Sequence, residues 1–176
     1  MGNRDALREL QARLAERLQA ARTEGVQASW LAVVAGGVNY LLPLAQSGEI
    51  FPLMAPQPVP YTLPWFVGVA NLRGGLWGVV DLASFIGGEP PVPQPEGARA
   101  QARLVALNTL LEVNCALLVE RLAGLRGLDA FAASAPAPAG SPAYFASRYT
   151  DSRGESWQEI NLQALSQQPQ FLSISA

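Results

Sequence analysis

This chain of 176 residues predicts an all-β fold of two small barrels, with a helix in front and a short helix near the end. Three features carry that reading. Short apolar runs alternate with glycine turns, the pattern of sandwiches and barrels. Twelve of the fourteen prolines fall into three clusters, Pro52–Pro64, Pro90–Pro95 and Pro136–Pro142. Proline removes a ladder donor and fixes φ, so these clusters mark connections. They leave four structured blocks, roughly 26–51, 65–88, 98–131 and 143–176, and the segment near 89–97 divides the strands into two comparable sets.

Residues 1–25 precede these blocks as a helical segment. Between Arg4 and Glu24, Leu7, Leu10, Leu14 and Leu18 recur at spacings of three and four, an apolar stripe at the helical period. Asn3 is the expected N-cap, Gly25 the expected stop, and Glu9 stands four residues before Arg13 in the favourable order. Five arginines against four acidic residues leave a charge of only +1, too little for an anionic membrane anchor. The stripe is therefore expected to dock on the chain's own domain or cross it, with a partner-binding helix as the other reading.

In the first block, Trp30–Val34 reads as a strand, Gly36-Gly37 as a tight turn, and Val38–Leu44 as the returning strand. The second holds Phe66–Ala70 and Leu76–Leu82 about a turn at Gly74-Gly75. The third pairs Leu104–Leu107 with Val113–Leu118 across Asn108-Thr109, and the chain bends again at Gly124–Gly127. In the fourth, Tyr144–Ala146 and Trp157–Ile160 flank a turn at Asp151–Gly154. Asn161 then caps a short helix that Pro169 ends.

Composition closes most catalytic repertoires. The net charge is −2, histidine is absent, and all twelve basic residues are arginine. Without histidine there is no Ser-His or Cys-His pair and no His-ligated metal. Without lysine there is no Walker A loop and no Schiff-base nucleophile. The charge is also wrong for nucleic acid. Cys115 is the single cysteine, too few for a disulfide framework, and it lies in an apolar strand where it acts as a small hydrophobe. No metal, cofactor or nucleotide is expected. The N-terminus lacks the apolar core of a signal peptide, and no eighteen apolar residues run uninterrupted. The expectation is a cytoplasmic binding protein without membrane insertion.

Gly68-Val69-Ala70-Asn71-Leu72-Arg73-Gly74-Gly75, continuing through Leu76-Trp77-Gly78-Val79-Val80-Asp81-Leu82, resembles the signature of CheW-like coupling domains. There an Asn-Leu-Arg-Gly turn precedes an apolar strand ending in Val-Asp-Leu. Tyr40–Leu44 with Glu49-Ile50, and Ala116–Glu120, are similar to two further elements of that family. The ending Trp157–Leu165 followed by Pro169–Leu172 resembles the branch that serves type IV pilus chemosensory systems. The resemblance implies two intertwined five-stranded SH3-like barrels over residues 26–176, with an apolar groove between them. It implies a non-catalytic adaptor linking the cytoplasmic tip of a methyl-accepting receptor to the regulatory domain of a histidine kinase, recruited to membrane receptor arrays and controlling twitching motility. Gly78 replaces the family's common proline, Ser47-Gly48 replaces a valine and a polar residue, and Gly87–Gln101 resembles an insertion between the barrels.

Six residues are the candidate partner contacts: Glu49, Ile50, Asn71, Leu72, Arg73 and Trp77. Arg73 carries a planar five-donor fork suited to a partner's carboxylate, and equally to carbonyls of its own turn. Asn71 and Gly74 also suit the turn itself, and Asp81 suits a loop cap. Alternation puts Trp77, Val79 and Asp81 on one strand face, and the cost of burying Asp81 unpaired makes that face the more accessible. Trp30 and Trp157 are expected in the core. Two other function classes remain. A small hydrolase would use two of Glu49, Asp81, Glu112 and Glu120 held in one cleft. A free-standing SH3-like barrel would bind proline-rich peptide through an aromatic-lined groove.

Overall fold

The computed structural model describes residues 5–16 and 30–176. Helix α1 covers 5–16, where Arg13 Nη2 donates to Glu9 Oε1 at 2.9 Å, the expected i,i+4 pair. Asn3, Leu18 and Gly25 lie outside the described residues. Eleven strands follow and form two sheets.

The first sheet draws on both ends of the domain. β1 (Trp30–Ala35) and β2 (Val38–Pro43) form the expected hairpin about Gly36-Gly37, where both glycines have positive φ. They are joined by β8 (Arg121–Arg126), β9 (Phe131–Ala135), β10 (Phe145–Asp151) and β11 (Ser156–Ile160) in the order β8-β1-β2-β11-β10-β9. The second sheet comes from the middle: β3 (Ser47–Pro52), β4 (Phe66–Leu72), β5 (Gly75–Asp81), β6 (Arg103–Leu107) and β7 (Cys115–Val119), ordered β3-β6-β7-β5-β4. The chain thus enters the second sheet after β2 and leaves it after β7.

This connectivity corrects one expectation. The proline segment near 89–97 joins β5 to β6 within the second sheet and does not divide the two strand sets. Proline density marks where a ladder stops, but it carries no information about which sheet the next strand enters. The first sheet also has six strands, because β9 adds an edge of small, exposed residues with little apolar signal. β3, β8 and β9 were not anticipated as strands, and α2 (Leu82–Gly87) takes over at the Leu82 expected to end β5. α3 (Glu96–Arg99) interrupts the proline segment. Asn161 caps α4 (Leu162–Ser166) as expected, but Pro169 opens a further turn, α5 (Pro169–Leu172), rather than merely ending the first. Proline is well suited to the first helical position, where its missing N–H has no partner to lose.

Packing explains why the apolar runs are continuous instead of alternating. β1 is buried along its whole length: Trp30 and Ala32 face the interior of the first barrel, while Leu31, Val33 and Ala35 face the junction with the second. In β6, Leu104 and Ala106 fill the second barrel while Val105 and Leu107 meet the same junction. In β7, Ala116 faces inward and Cys115, Leu117 and Val119 face the junction. Cys115 is buried, and desolvation pushes its thiol pKa well above the usual value. Each fully buried Leu or Val stabilises the fold by about 1.5–3 kcal/mol, so the shared junction locks the barrels together.

Candidate functional site

The candidate residues gather at the mouth of the second barrel. β4 and β5 are joined by Leu72-Arg73-Gly74-Gly75, with Leu72 opposite Gly75. Arg73 (φ 50°) and Gly74 (φ 80°) both take left-handed backbone, the pattern of a two-residue hairpin turn that matches strand twist. Asn71 Oδ1 accepts from Gly74 N–H at 2.9 Å and holds the turn, as expected. The turn thereby presents Arg73 to solvent.

Glu49 arrives from the opposite edge of the same sheet. The register between β3 and β6 shifts between Ser47 and Ile50, a bulge that turns Glu49 out of the ladder. Gly48 fits closely there, since a Cβ would sit 3.0 Å from Leu107 O and 3.1 Å from Ala106 O. Arg73 Nε donates to Glu49 Oε1 at 2.7 Å, and Nη2 reaches the same oxygen. The hydrogen bond and charge of Glu49 raise the pKa of the guanidinium further. Since β3 and β4 are the two outer strands, this pair bridges the seam of the curled sheet. It remains solvent-exposed, and one carboxylate oxygen and three of the five N–H donors are free of it.

Within the chain, then, Arg73 bonds another candidate residue, Glu49, and not the carbonyls of its own turn. Ile50 is exposed beside Glu49, and Leu76, 67% exposed and opposite Asn71, adds an apolar residue that strand alternation did not single out. Two candidates turn inward. Leu72 is only 3% exposed and packs inside the second barrel with Ala70, Val79 and Leu104. Trp77 is half-buried against that same interior cluster, so its face of β5 is the inner one. The argument from Asp81 fails because β5 ends there: Asp81 Oδ1 accepts from Ser84 N–H at 2.9 Å and caps α2. Desolvation is the main cause raising the Asp81 pKa, and the charge of Glu120 adds to it.

Of the remaining candidates, Glu120 and the aromatics have structural partners. Glu120 accepts from Gly37 N–H at 3.2 Å, and Glu112 is exposed at a left-handed turn position. Trp65 stacks on Phe171 at 6.3 Å and meets Phe85 edge-on at 5.0 Å, against the junction core. Trp30 and Trp157 are core, as expected. Gly78 lies against Phe66, whose ring would be 2.9 Å from an added Cβ. A second exposed feature escaped notice in the sequence: Leu44 and Leu110 stand on 3-10 turns that Asn108 ties together through Gln46 O (2.9 Å) and Ala45 O (3.3 Å).

No helix among the described residues is long and apolar enough to cross a membrane. The crystal structure of the scaffolding protein TtCheW from Thermoanaerobacter tengcongensis superposes with a TM-score of 0.61 at 15% identity, covering 76% of this chain and 88% of that one. This supports the two-barrel architecture. Protein PilI of Pseudomonas aeruginosa is 31% identical over 121 residues, which span 66% of this chain and 64% of PilI. The CheW-like domain model matches residues 29–170, which takes in both sheets and the Arg73–Glu49 site. With that match across most of its length, the chain belongs to the CheW-like domain family.

Proposed function

We propose that this protein is a non-catalytic adaptor that joins the cytoplasmic tip of a methyl-accepting receptor to the regulatory domain of a histidine kinase. The similarity to PilI favours a pathway controlling type IV pili and twitching motility. On this reading the protein works in the cytoplasm at membrane receptor arrays, with residues 26–176 as the coupling domain and 1–25 as an appended segment. The observation that carries it is the exposed Arg73–Glu49 pair, flanked by Ile50 and Leu76. A charged pair with spare donors beside exposed apolar side chains suits an interface that needs both register and burial.

A charge-swap series tests the proposal in a reconstituted mixture of receptor, kinase and adaptor. Arg73→Glu and Glu49→Arg should each leave a folded protein whose receptor-dependent kinase activation falls about tenfold or more. The double swap should restore the intramolecular pair without restoring activation. Full recovery in the double swap would reduce the pair to a clasp on the barrel and remove it from the interface.

A further inference from the structure

Two elements of this fold bury little of themselves. One is α1, where Leu7, Leu10 and Leu14 are exposed, so the docking expected for that stripe is not seen among the described residues. The other is β3, which carries Glu49. It is an edge strand, and none of its six residues is buried. Register is strongly specified only where one strand face enters a core, and a one-residue slip turns every side chain to the opposite face. The bulge between Ser47 and Ile50 adds a second freedom, since annealing it would draw Glu49 into the ladder and away from Arg73. Burial therefore does little to place Glu49, and a contact from outside the strand has to hold its start.

Gln46 stands immediately before β3, on the 3-10 turn Leu44–Gln46 that carries the chain from the first sheet to the second. Its side chain reaches 116 positions along the sequence, where Oε1 accepts from Leu162 N–H at 2.7 Å. Gln163 N–H lies 3.4 Å from the same oxygen. These are the first amides of α4, which have no partner within their own helix. Asn161 takes the Ala164 N–H at 3.0 Å and leaves the Leu162 amide to Gln46. The main-chain oxygen of Gln46 accepts from Asn108 N–H at 2.9 Å and continues the β3–β6 ladder by one bond. One residue is thus tied to both sheets, since α4 follows β11 of the first and Asn108 follows β6 of the second. We infer that Gln46 is a positioning residue for the coupling site: its clamp on α4 fixes the register of β3 and holds Glu49 out toward Arg73. The consequence for signalling rests on the adaptor reading, whereas the placement of Glu49 is a property of the free protein.

Nitrogen-15 NMR of the full-length protein reads the pair through the Arg73 Nε–H resonance, with Glu49→Ala as the unpaired reference. Gln46→Met keeps the side-chain length and removes the acceptor. The Arg73 resonance should move most of the way to its Glu49→Ala position, and receptor-dependent kinase activation should fall about fivefold, equivalent to about one hydrogen bond. Gln46→Asn, one methylene shorter, should repeat that loss and serves if the methionine variant does not fold. Gln46→Glu keeps an acceptor, and a carboxylate suits a helix N-terminus, so both readouts should return to the parent values. Asn161→Ala weakens the same helix while leaving Gln46 in place, and should barely move the resonance. An unmoved resonance in Gln46→Met and Gln46→Asn, no rescue by Gln46→Glu, or an equal shift in Asn161→Ala would each overturn the inference. A shifted resonance with undiminished activation would uphold the role of Gln46 and overturn the coupling reading instead.

Discussion

The two barrels use carboxylates in opposite ways. At the mouth of the second, Glu49 meets Arg73 in solvent, with hydrogen-bonding capacity left over on both sides. Inside the first, Asp151 is committed. Its Oδ1 accepts from Arg153 N–H and Glu155 N–H at 2.9 Å each, and its Oδ2 accepts from the Trp157 indole at 3.1 Å. Arg126 lies over the Trp157 ring at 5.2 Å, and the Trp30 indole donates to Glu159. The Trp157 hydrogen bond, assisted by those backbone donors, holds the Asp151 carboxyl below its usual pKa. The contrast teaches that a charge becomes available for recognition where the fold leaves it unsaturated. Where every oxygen has a local donor, the same residue type organises a turn.

Substitutions should separate the two regions by size of effect. Trp157→Ala removes a buried indole between sheet and turn, and should cost about 3–5 kcal/mol in urea unfolding. Leu72→Ala should cost about 2–5 kcal/mol, since its side chain fills the second barrel. A loss there below about 0.5 kcal/mol would return Leu72 to the surface and to the list of partner contacts.

The pH response sharpens the comparison further. Asp151 is lowered in the folded state, so its contribution is complete above the unfolded value and is lost as pH falls through the native one. Asp151→Asn should therefore be less stable than the parent near neutrality, and the gap should close below about pH 4. A gap that persists unchanged into acid would show that the carboxylate charge is not what stabilises the turn. The smallest stability effect is expected for Arg73→Gly. Glycine takes the left-handed turn position without strain, so melting should stay within about 2 °C of the parent while receptor-dependent kinase activation is lost. Retained activation would break the contrast at its functional end.

Local chemistry made much of this legible in the sequence. The Asn71 side-chain bond and the positive φ at Gly74 follow from what a tight turn needs, and Asn161 capped its helix as read. Three features were not legible. β9 has almost no apolar pattern because it is an edge strand that buries little. The inward face of Trp77 is hidden from sequence because Asp81, on the same face at the end of β5, has its carboxylate satisfied by the α2 cap and so imposes no open face on the strand. The Glu49–Arg73 pair was missed because its members stand 24 residues apart on opposite edges of one sheet.

What the sequence determined by itself was therefore local or subtractive. It set the β class, the principal hairpins, the caps, the tryptophans destined for the core and the loss of histidine and lysine chemistry. These follow from side-chain period, φ preference and residue type, none of which needs a distant partner. The tertiary structure alone decided which sheet each strand entered, which face of β5 was inside, and which two candidate residues met. Those outcomes depend on how a strand buried on both faces divides its side chains between one barrel's interior and the junction with the other. Continuous apolar runs are compatible with either assignment, and only packing against the second sheet distinguishes them.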